Sequence, residues 1–356
     1  MSGRPLFCYC IVLPEAQVPA KGEAHLVRVV VDAMGGDEPP EVVLEGIARA
    51  LEADADLEVI VAGNEEVVVS FCAKHARAEA LVTTECIEMG EHPTQAVRRK
   101  KDSSIVRGCR AVRAGEADAF FSAGSTGAIL AAGTLVVGRT KGVSRAALAC
   151  AMPGIDGHMT TFLDMGANAD CTTDMIVQFA RMGQAYSQVV LGVENPTVGL
   201  LNNGTEETKG SESALERHKA LAEAAGVNFA GNCEGRDILT GSLDVIVTDG
   251  YTGNVAVKTV EGTAKFIVSA LKAEAARSKR VAVGALMVKP ALKGVAKLLS
   301  GDAYGGAALL GLKAPVLVGH GATNPEAIMN GTLAAARCVR EDLCAKLAQA
   351  MSASQA

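Results

Sequence analysis

The stretch that decides the fold is Val27-Arg28-Val29-Val30-Val31, which runs straight into Asp32-Ala33-Met34-Gly35-Gly36-Asp37. Its β-branched residues favour a strand, and the small and acidic residues that follow favour a turn. Pro39 then opens a helix that carries Val43, Ile47 and Leu51 on one face. The unit recurs along the chain. Leu57–Ala62 ends in Gly63-Asn64, Ala117–Phe121 in Ser122-Ala123-Gly124-Ser125-Thr126-Gly127, and Met159–Leu163 in Asp164-Met165-Gly166-Ala167-Asn168. Further on, Thr197–Leu201 ends in Asn202-Asn203-Gly204-Thr205, Val227–Ala230 in Gly231-Asn232, Leu243–Thr248 in Asp249-Gly250, and Pro315–Val318 in Gly319-His320-Gly321. Strands alternating with helix-period segments predict right-handed βαβ units and a mostly parallel sheet. Near-continuous apolar strands predict that helices cover both faces, giving a three-layer α/β/α architecture.

The chain has 356 residues, enough for one large or two modest domains. It holds no Pro/Ser-rich linker and no low-complexity segment. We therefore expect a single unit over residues 27–350, a loose extension over 1–26 and a short tail over 351–356, with a helical excursion near 260–300. Phe7–Leu13 follows Arg4 but is short and thinly charged for a signal peptide, and Pro14 and Pro19 come directly after it. No apolar run reaches the roughly 18–20 residues that span a bilayer. The net charge of −6 and the absence of Trp argue against nucleic-acid binding. The ten Cys are scattered, with no CxxC. That pattern predicts buried thiols in a reducing compartment, and neither a disulfide scaffold, a zinc site nor a cofactor is expected.

In open α/β sheets, ligands sit beyond the carboxyl ends of the strands. Here those ends are rich in Gly, Asn, Ser and Thr, whose turn amides favour anions such as phosphate. Three motifs come close to familiar ones. Gly204–Ser211 resembles a P-loop, but Lys209 and Gly210 are transposed and two acids lie inside it, which argues against ATP. Gly319–Asn324 has Asn where a dinucleotide loop needs its last Gly. Ala123–Gly127 resembles a nucleophile elbow around Ser125. Neither His158 nor His320 has a context that suits a triad, so a cap or phosphate-loop hydroxyl is the preferred role for Ser125.

Two basic segments stand out. Arg98-Arg99-Lys100-Lys101 reads either as a solvated helix face or as one or two cations turned towards an anionic ligand. Between residues 277 and 297, Arg277, Lys279, Arg280, Lys289, Lys293 and Lys297 occur without an acid, interleaved with apolar residues that include Leu286 and Met287. This basic amphipathic stretch reads as a dock for a membrane surface or an acidic partner, or else as a packed helix with a lysine-rich outer face. Gly284 and Pro290 predict a break within it.

Taken in order, several strings resemble one family: Val31–Asp37, Ala96–Ser104, Ser122–Gly127, Asp164–Asn168, Gly199–Gly210, Thr248–Asn254 with Lys258, and Tyr304–Gly306 through Gly311–Pro315. From about Val27 to about Lys346 the sequence is similar to the bacterial phosphate acyltransferases of phospholipid synthesis, the PlsX family. The resemblance implies a fold akin to isocitrate dehydrogenase and phosphotransacetylase. It implies transfer of a fatty acyl group from an acyl carrier protein thioester to inorganic phosphate. It also implies a cytoplasmic homodimer attached peripherally to the membrane, whose acyl phosphate feeds a membrane acyltransferase acting on glycerol 3-phosphate.

The chemistry suits such a site. Phosphate is largely ionised near neutral pH, its second pKa being about 6–7 by analogy with phosphoesters, and a thiol of pKa about 8.5 leaves without a strong acid. What remains is positioning, worth up to about 7–11 kcal/mol, and oxyanion stabilisation of about 3–4 kcal/mol per good donor. We expect Lys209 and Asn254 to border the reacting groups. Gly35, Gly36, Arg98, Lys100, Ser125, Thr126, Asn168, Gly204 and Thr205 are expected to hold phosphate or donor. The alternatives are a coenzyme A-dependent phosphotransacetylase-like enzyme, a decarboxylating dehydrogenase of the related fold, and a non-catalytic phosphate or lipid sensor.

Overall fold

A computed structural model describes residues 26–155, 157–299, 305–320 and 324–352. The extension over 1–25, Tyr304, Gly321 and the tail beyond Ser352 lie outside the described residues. So do the side chains of Lys279, Lys293 and Lys297.

Among the described residues, eleven strands form one sheet: β1 Val27–Asp32, β2 Leu57–Gly63, β3 Ala78–Val82, β4 Ala119–Ser122, β5 Ala147–Pro153, β6 Met159–Leu163, β7 Val198–Leu201, β8 Phe229–Cys233, β9 Val245–Val247, β10 Ala307–Leu310 and β11 Val316–Val318. The α-helices described with them are α1 Glu41–Ala53, α2 Glu65–Cys72, α3 Pro93–Arg99, α4 Ser104–Ala114, α5 Thr126–Ala132, α6 Thr173–Tyr186, α7 Glu212–Glu223, α8 Gly250–Ala276, α9 Lys279–Leu299, α10 Pro325–Arg340 and α11 Leu343–Ser352. Every strand expected from the sequence is present, but β8 starts at Phe229 and runs through Gly231 and Asn232, which the sequence placed in a turn, because both pair with β7. The period-2 rule sorts their side chains: Val29, Val31 and Phe121 enter the core beneath α1, α6, α10 and α11, whereas Val30 and Phe120 enter the core beneath α3, α4 and α5. The last helix runs two residues past the expected boundary at 350 and buries Met351.

The strand order is β3-β2-β1-β4-β11-β10-β5-β6-β9-β7-β8. The first five strands are mutually parallel, and so are the last four. Between them, β10 and β5 are antiparallel to each other and to their outer neighbours. The two parallel halves therefore point in opposite directions. Their carboxyl ends do not meet along a single edge, as a uniformly parallel sheet would require. The β10–β11 and β5–β6 connections are short and carry no helix, so no crossover helix covers this junction.

The 260–300 excursion is the pair α8 and α9. The break expected at Gly284 and Pro290 does not occur, because α9 continues through both. Leu286, whose carbonyl loses its partner to Pro290, is 67% exposed, so water can satisfy that carbonyl. The outer parts of this pair expose Phe266, Val283 and Met287 as well.

Candidate active site

The uncovered junction is a cleft of about 640 Å³. Leu148, Cys150 and Met152 of β5 form its floor together with Ala307 and Val318. One wall is the start of α5, through Ser125, Thr126, Gly127 and Leu130; the facing wall is α8, through Asn254, Val257, Lys258, Val260 and Glu261. Asp37, Met165, Gly166 and His320 are among the other lining residues, as are Ala151 and Pro153 of β5.

Two buried aspartates shape the polar parts. Asp32, 2% exposed, accepts hydrogen bonds from the Met34 amide at 3.0 Å and from Ser122 Oγ at 2.7 Å. Ser122 Oγ in turn accepts from the Gly124 amide at 3.0 Å. This chain holds the turn after β4 against the turn after β1. Gly35 is needed there because a Cβ would fall 2.7 Å from the Gly124 nitrogen. Burial pushes the Asp32 carboxyl up from its ordinary range, against the pull of hydrogen bonds from Ser104, Ser122 and Met34.

Asp164 follows β6 and is fully buried. It accepts from the amides of Leu148 (3.0 Å), Gly166 (3.2 Å), Ala167 (2.9 Å) and Asn168 (2.8 Å), and from Asn168 Nδ2 (2.9 Å). Burial raises its carboxyl, opposed by these donors. One side chain thus ties the floor strand to the turn that presents Gly166. Next to it, α8 starts at very close range: a Cβ on Gly253 would lie 1.9 Å from the Asp164 carbonyl oxygen. Asp249 caps α8 by accepting from the Thr252 amide at 2.9 Å, and Arg217 pairs with it at 2.9 Å while donating to the Cys171 carbonyl at 2.8 Å. Burial opposes ionisation of Asp249, but Thr252 and Arg217 outweigh it and hold the carboxyl below its ordinary value.

The hydroxyl of Ser125 does not cap α5. It pairs with no His or carboxylate among the described residues, so nothing there activates it as a nucleophile. The thiol that faces the cleft, Cys150, is pushed up to about 12 by burial and by the charge of Glu261, which keeps it protonated near neutral pH. The polar lining of the cleft combines donors, Ser125, Thr126, Asn254 and Lys258, with the carboxyl groups of Asp37 and Glu261; Lys258 is bound to Glu261 at 2.8 Å and His320 Nε2 lies 3.9 Å from Glu261. Such a set can orient an anion and polarise a carbonyl.

Of the residues expected from the sequence, the cleft brings together Ser125, Thr126 and Asn254. Gly35 lies just behind the Ser125 turn, and Gly36 beside it takes a positive φ of 107°. Asn168 is engaged inside the Asp164 turn and donates to the Ala146 carbonyl at 2.8 Å. Lys100 is held by Glu91 and the Cys86 carbonyl, both at 2.6 Å, while Arg98 is exposed. Gly204, Thr205 and Lys209 sit on the loop after β7 and do not line the cleft. Lys209 is exposed and forms no ion pair among the described residues. Arg277 pairs with Glu274 at 2.9 Å, and Arg280, Leu286, Met287 and Lys289 are all exposed. The sequence reading did not single out Glu261, Gly166 as a lining residue, or the β5 floor. The spacing of Asn254, Lys258 and Glu261 at i, i+4 and i+7 was a usable signal for one helix face.

Comparison with known proteins fits this picture. Residues 27–346 match the family model described as fatty acid synthesis protein. The phosphate acyltransferase of Levilactobacillus brevis is 46% identical over 308 residues, covering 85% of this chain and 89% of that protein. The phosphate acyltransferase of Bacillus pumilus is 42% identical over 323 residues, covering 91% and 97%. Among solved structures, a phosphotransacetylase from Streptococcus pyogenes superposes with a TM-score of 0.57 at 16% identity, covering 89% of this chain and 96% of that one. A branched-chain phosphotransacylase from Enterococcus faecalis V583 gives 0.58 at 14% identity, covering 88% and 99%. At these identities the structural likenesses concern the fold alone.

Proposed function

The chain belongs to the PlsX family of fatty acid synthesis proteins and is an acyltransferase that uses phosphate as acceptor; from that premise we propose that its donor is a fatty acyl thioester of acyl carrier protein, and that phosphate attacks the thioester carbonyl directly. The observation that carries the reading is the make-up of the cleft, with hydrogen-bond donors at the α5 and α8 starts and an apolar floor between them. A phosphate beside a fatty acyl group needs that combination.

In this mechanism Asn254 donates to the developing oxyanion, and the amides and hydroxyls of Ser125 and Thr126 orient phosphate. Gly35 and Gly36 allow the supporting turn its close approach. Lys209, with Gly204 and Thr205, sits on the loop after β7 outside the cleft lining, so in this mechanism its ammonium acts on the carrier-borne end of the donor and not at the reacting carbonyl. Arg98 contributes positive charge beyond α5, whereas Lys100 is paired with Glu91 and holds its turn in place, and Asn168 keeps the Gly166 turn in shape. A phosphate oxygen forms the new bond to the acyl carbon, the carbon–sulfur bond breaks, and the thiolate of the carrier takes its proton from solvent. The protonated Cys150 thiol and the unpaired Ser125 hydroxyl fit direct attack better than an acyl-enzyme.

The carrier is acidic, and the exposed α8–α9 pair offers it Arg277, Arg280 and Lys289, in a segment that also contains Lys279, Lys293 and Lys297. The apolar side chains Leu286 and Met287 suit a lipid surface, where acyl phosphate would be passed to a glycerol-phosphate acyltransferase in the membrane. No helix among the described residues is long and apolar enough to cross a membrane, so this attachment is peripheral in the proposal. We also propose a homodimer in the cytoplasm. The test is to incubate the purified protein with acyl carrier protein thioester and phosphate and to trap product with hydroxylamine. Acyl hydroxamate that requires phosphate supports the proposal; activity with short-chain coenzyme A thioesters alone would replace it with the phosphotransacetylase-like reading.

A further inference from the structure

The charges lining the cleft do not suit a simple anion site. Among the described lining residues, two carboxyl groups, Asp37 and Glu261, stand against the ammonium of Lys258 and the imidazole of His320, and no arginine is present. A carboxylate repels a neighbouring anion. Glu261 is balanced locally, with Lys258 Nζ 2.8 Å from its Oε2 and His320 Nε2 3.9 Å from its Oε1. Asp37 is not. It is exposed, and its side chain forms no ion pair or hydrogen bond among the described residues. Two turns fix its place. β1 and β4 are parallel neighbours, so their carboxyl ends lie side by side. Gly35 meets the Gly124 nitrogen so closely that a Cβ would stand 2.7 Å from it, and Gly36 turns the chain with a φ of 107°. Asp37 comes next and lines the cleft with Gly124, Ser125 and Thr126. The groups assigned to phosphate therefore share their end of the cleft with an uncompensated carboxylate.

Resting on the reading that phosphate binds at Ser125 and Thr126, we propose that Asp37 recognises the proton on that phosphate: its carboxylate accepts a hydrogen bond from the P–OH group, and the cleft thereby selects phosphate over tetrahedral anions that carry no proton, such as sulfate. Inorganic phosphate keeps a P–OH proton throughout the neutral range, whereas sulfate has none. An ionised carboxylate only accepts hydrogen bonds. Facing the hydrogen phosphate dianion, it gains a short, charge-assisted bond. Facing sulfate, it meets oxygens alone, and repulsion is left unopposed. A site built to hydrogen-bond a substrate O–H rejects the analogue lacking it far more strongly than shape alone does. The shortage of cations in the lining fits the same role, because an ammonium or guanidinium would attract both anions alike, whereas the Ser125 and Thr126 hydroxyls rotate to donate to the remaining oxygens.

The experiment compares phosphate with sulfate and monofluorophosphate, two tetrahedral dianions without that proton, as competitors in the acyl-phosphate assay at neutral pH. In the wild type both should inhibit weakly, with Ki about 10–100-fold above the phosphate KM, the range of one hydrogen bond to a charged group. In Asp37→Asn the phosphate KM should rise and the sulfate Ki should fall, so that their ratio drops at least about 10-fold. Asp37→Glu, which keeps the acceptor, should retain part of the selectivity. Thermal melts should coincide in all three proteins, since the Asp37 side chain bonds to nothing described in the fold. Sulfate that binds the wild type as tightly as phosphate overturns the proposal. So does an Asp37→Asn protein in which both constants fall by the same factor, the mark of plain repulsion. A ratio that moves in Glu261→Gln but not in Asp37→Asn overturns it as well. Each of these results leaves the fatty-thioester reading standing. Turnover that needs no phosphate overturns that reading and this proposal together.

Discussion

Ser122 and Asp32 lie 90 residues apart in sequence, yet Ser122 Oγ donates to Asp32 Oδ2 at 2.7 Å in the buried seam between β4 and β1. The same hydroxyl accepts from the Gly124 amide, so it sets the start of the turn that carries Ser125 and Thr126 into the cleft. Replacing Ser122 by Ala removes both bonds at once. The expected cost is about 1–3 kcal/mol, since a buried carboxylate loses a donor and a buried amide its acceptor. Urea unfolding measures this. Acyl-phosphate formation should fall by about tenfold or more in the variant that remains folded, a loss of positioning; an unchanged midpoint and rate would detach this seam from the site.

Asn254 stands at the α8 start beside Gly166. As an oxyanion donor, its replacement by Ala should lower kcat by about 10²–10³-fold, with a small effect on the KM for phosphate. A rise in KM at constant kcat would make it a binding residue for the ground state.

The α8 start is also sensitive to acid. Asp249 has a lowered folded-state value, so its contribution to stability is fully present above its unfolded pKa of about 3.9. It is lost as pH falls below that, through the folded value. Asp249→Asn should flatten that acid-side slope and weaken the protein near neutral pH, as read from thermal melts between pH 3 and 7. An identical slope in wild type and variant would contradict the role given to the Arg217 pair.

With its thiol pushed up to about 12, Cys150 carries a thiolate fraction on the order of 10⁻⁴ at pH 8. Iodoacetamide should leave it unmodified in the native protein at that pH and label it once urea unfolds the chain. Mass spectrometry of the peptide decides the point. Rapid native labelling would show an activated thiol and reopen covalent catalysis.

Much of the fold was legible, and the part that was not has one physical cause. Strands such as β1, with its run of Val residues, announce themselves through β-branched content. β3, β5 and β10 do not: Ala78–Val82, Ala147–Pro153 and Ala307–Leu310 are built largely from Ala and Leu, residues that favour helices when taken alone. Their extended form comes from pairing and burial between neighbours, which local preference does not record. Because β5 and β10 are also the strands that reverse the sheet, missing them left the opposed halves and the cleft floor unread. The polar residues were more visible. Ser125, Thr126 and Asn254 stand at strand ends where turn chemistry is explicit, and Glu261 shares a helix face with Asn254, whereas the approach of His320 to Glu261 at 3.9 Å joins elements far apart in sequence.

Direct attack by phosphate on a fatty thioester held in the β5 cleft is the proposal from which the mechanism follows. Its most direct test is to mix stoichiometric enzyme and acyl carrier protein thioester without phosphate, quench, and weigh the intact protein, then repeat with rising phosphate while following acyl hydroxamate. Direct attack requires an unmodified protein mass, an intact thioester in the absence of phosphate, and acyl phosphate that rises saturably as phosphate is added. A protein mass increased by one acyl group, or thioester cleavage that proceeds at the same rate without phosphate, would contradict it.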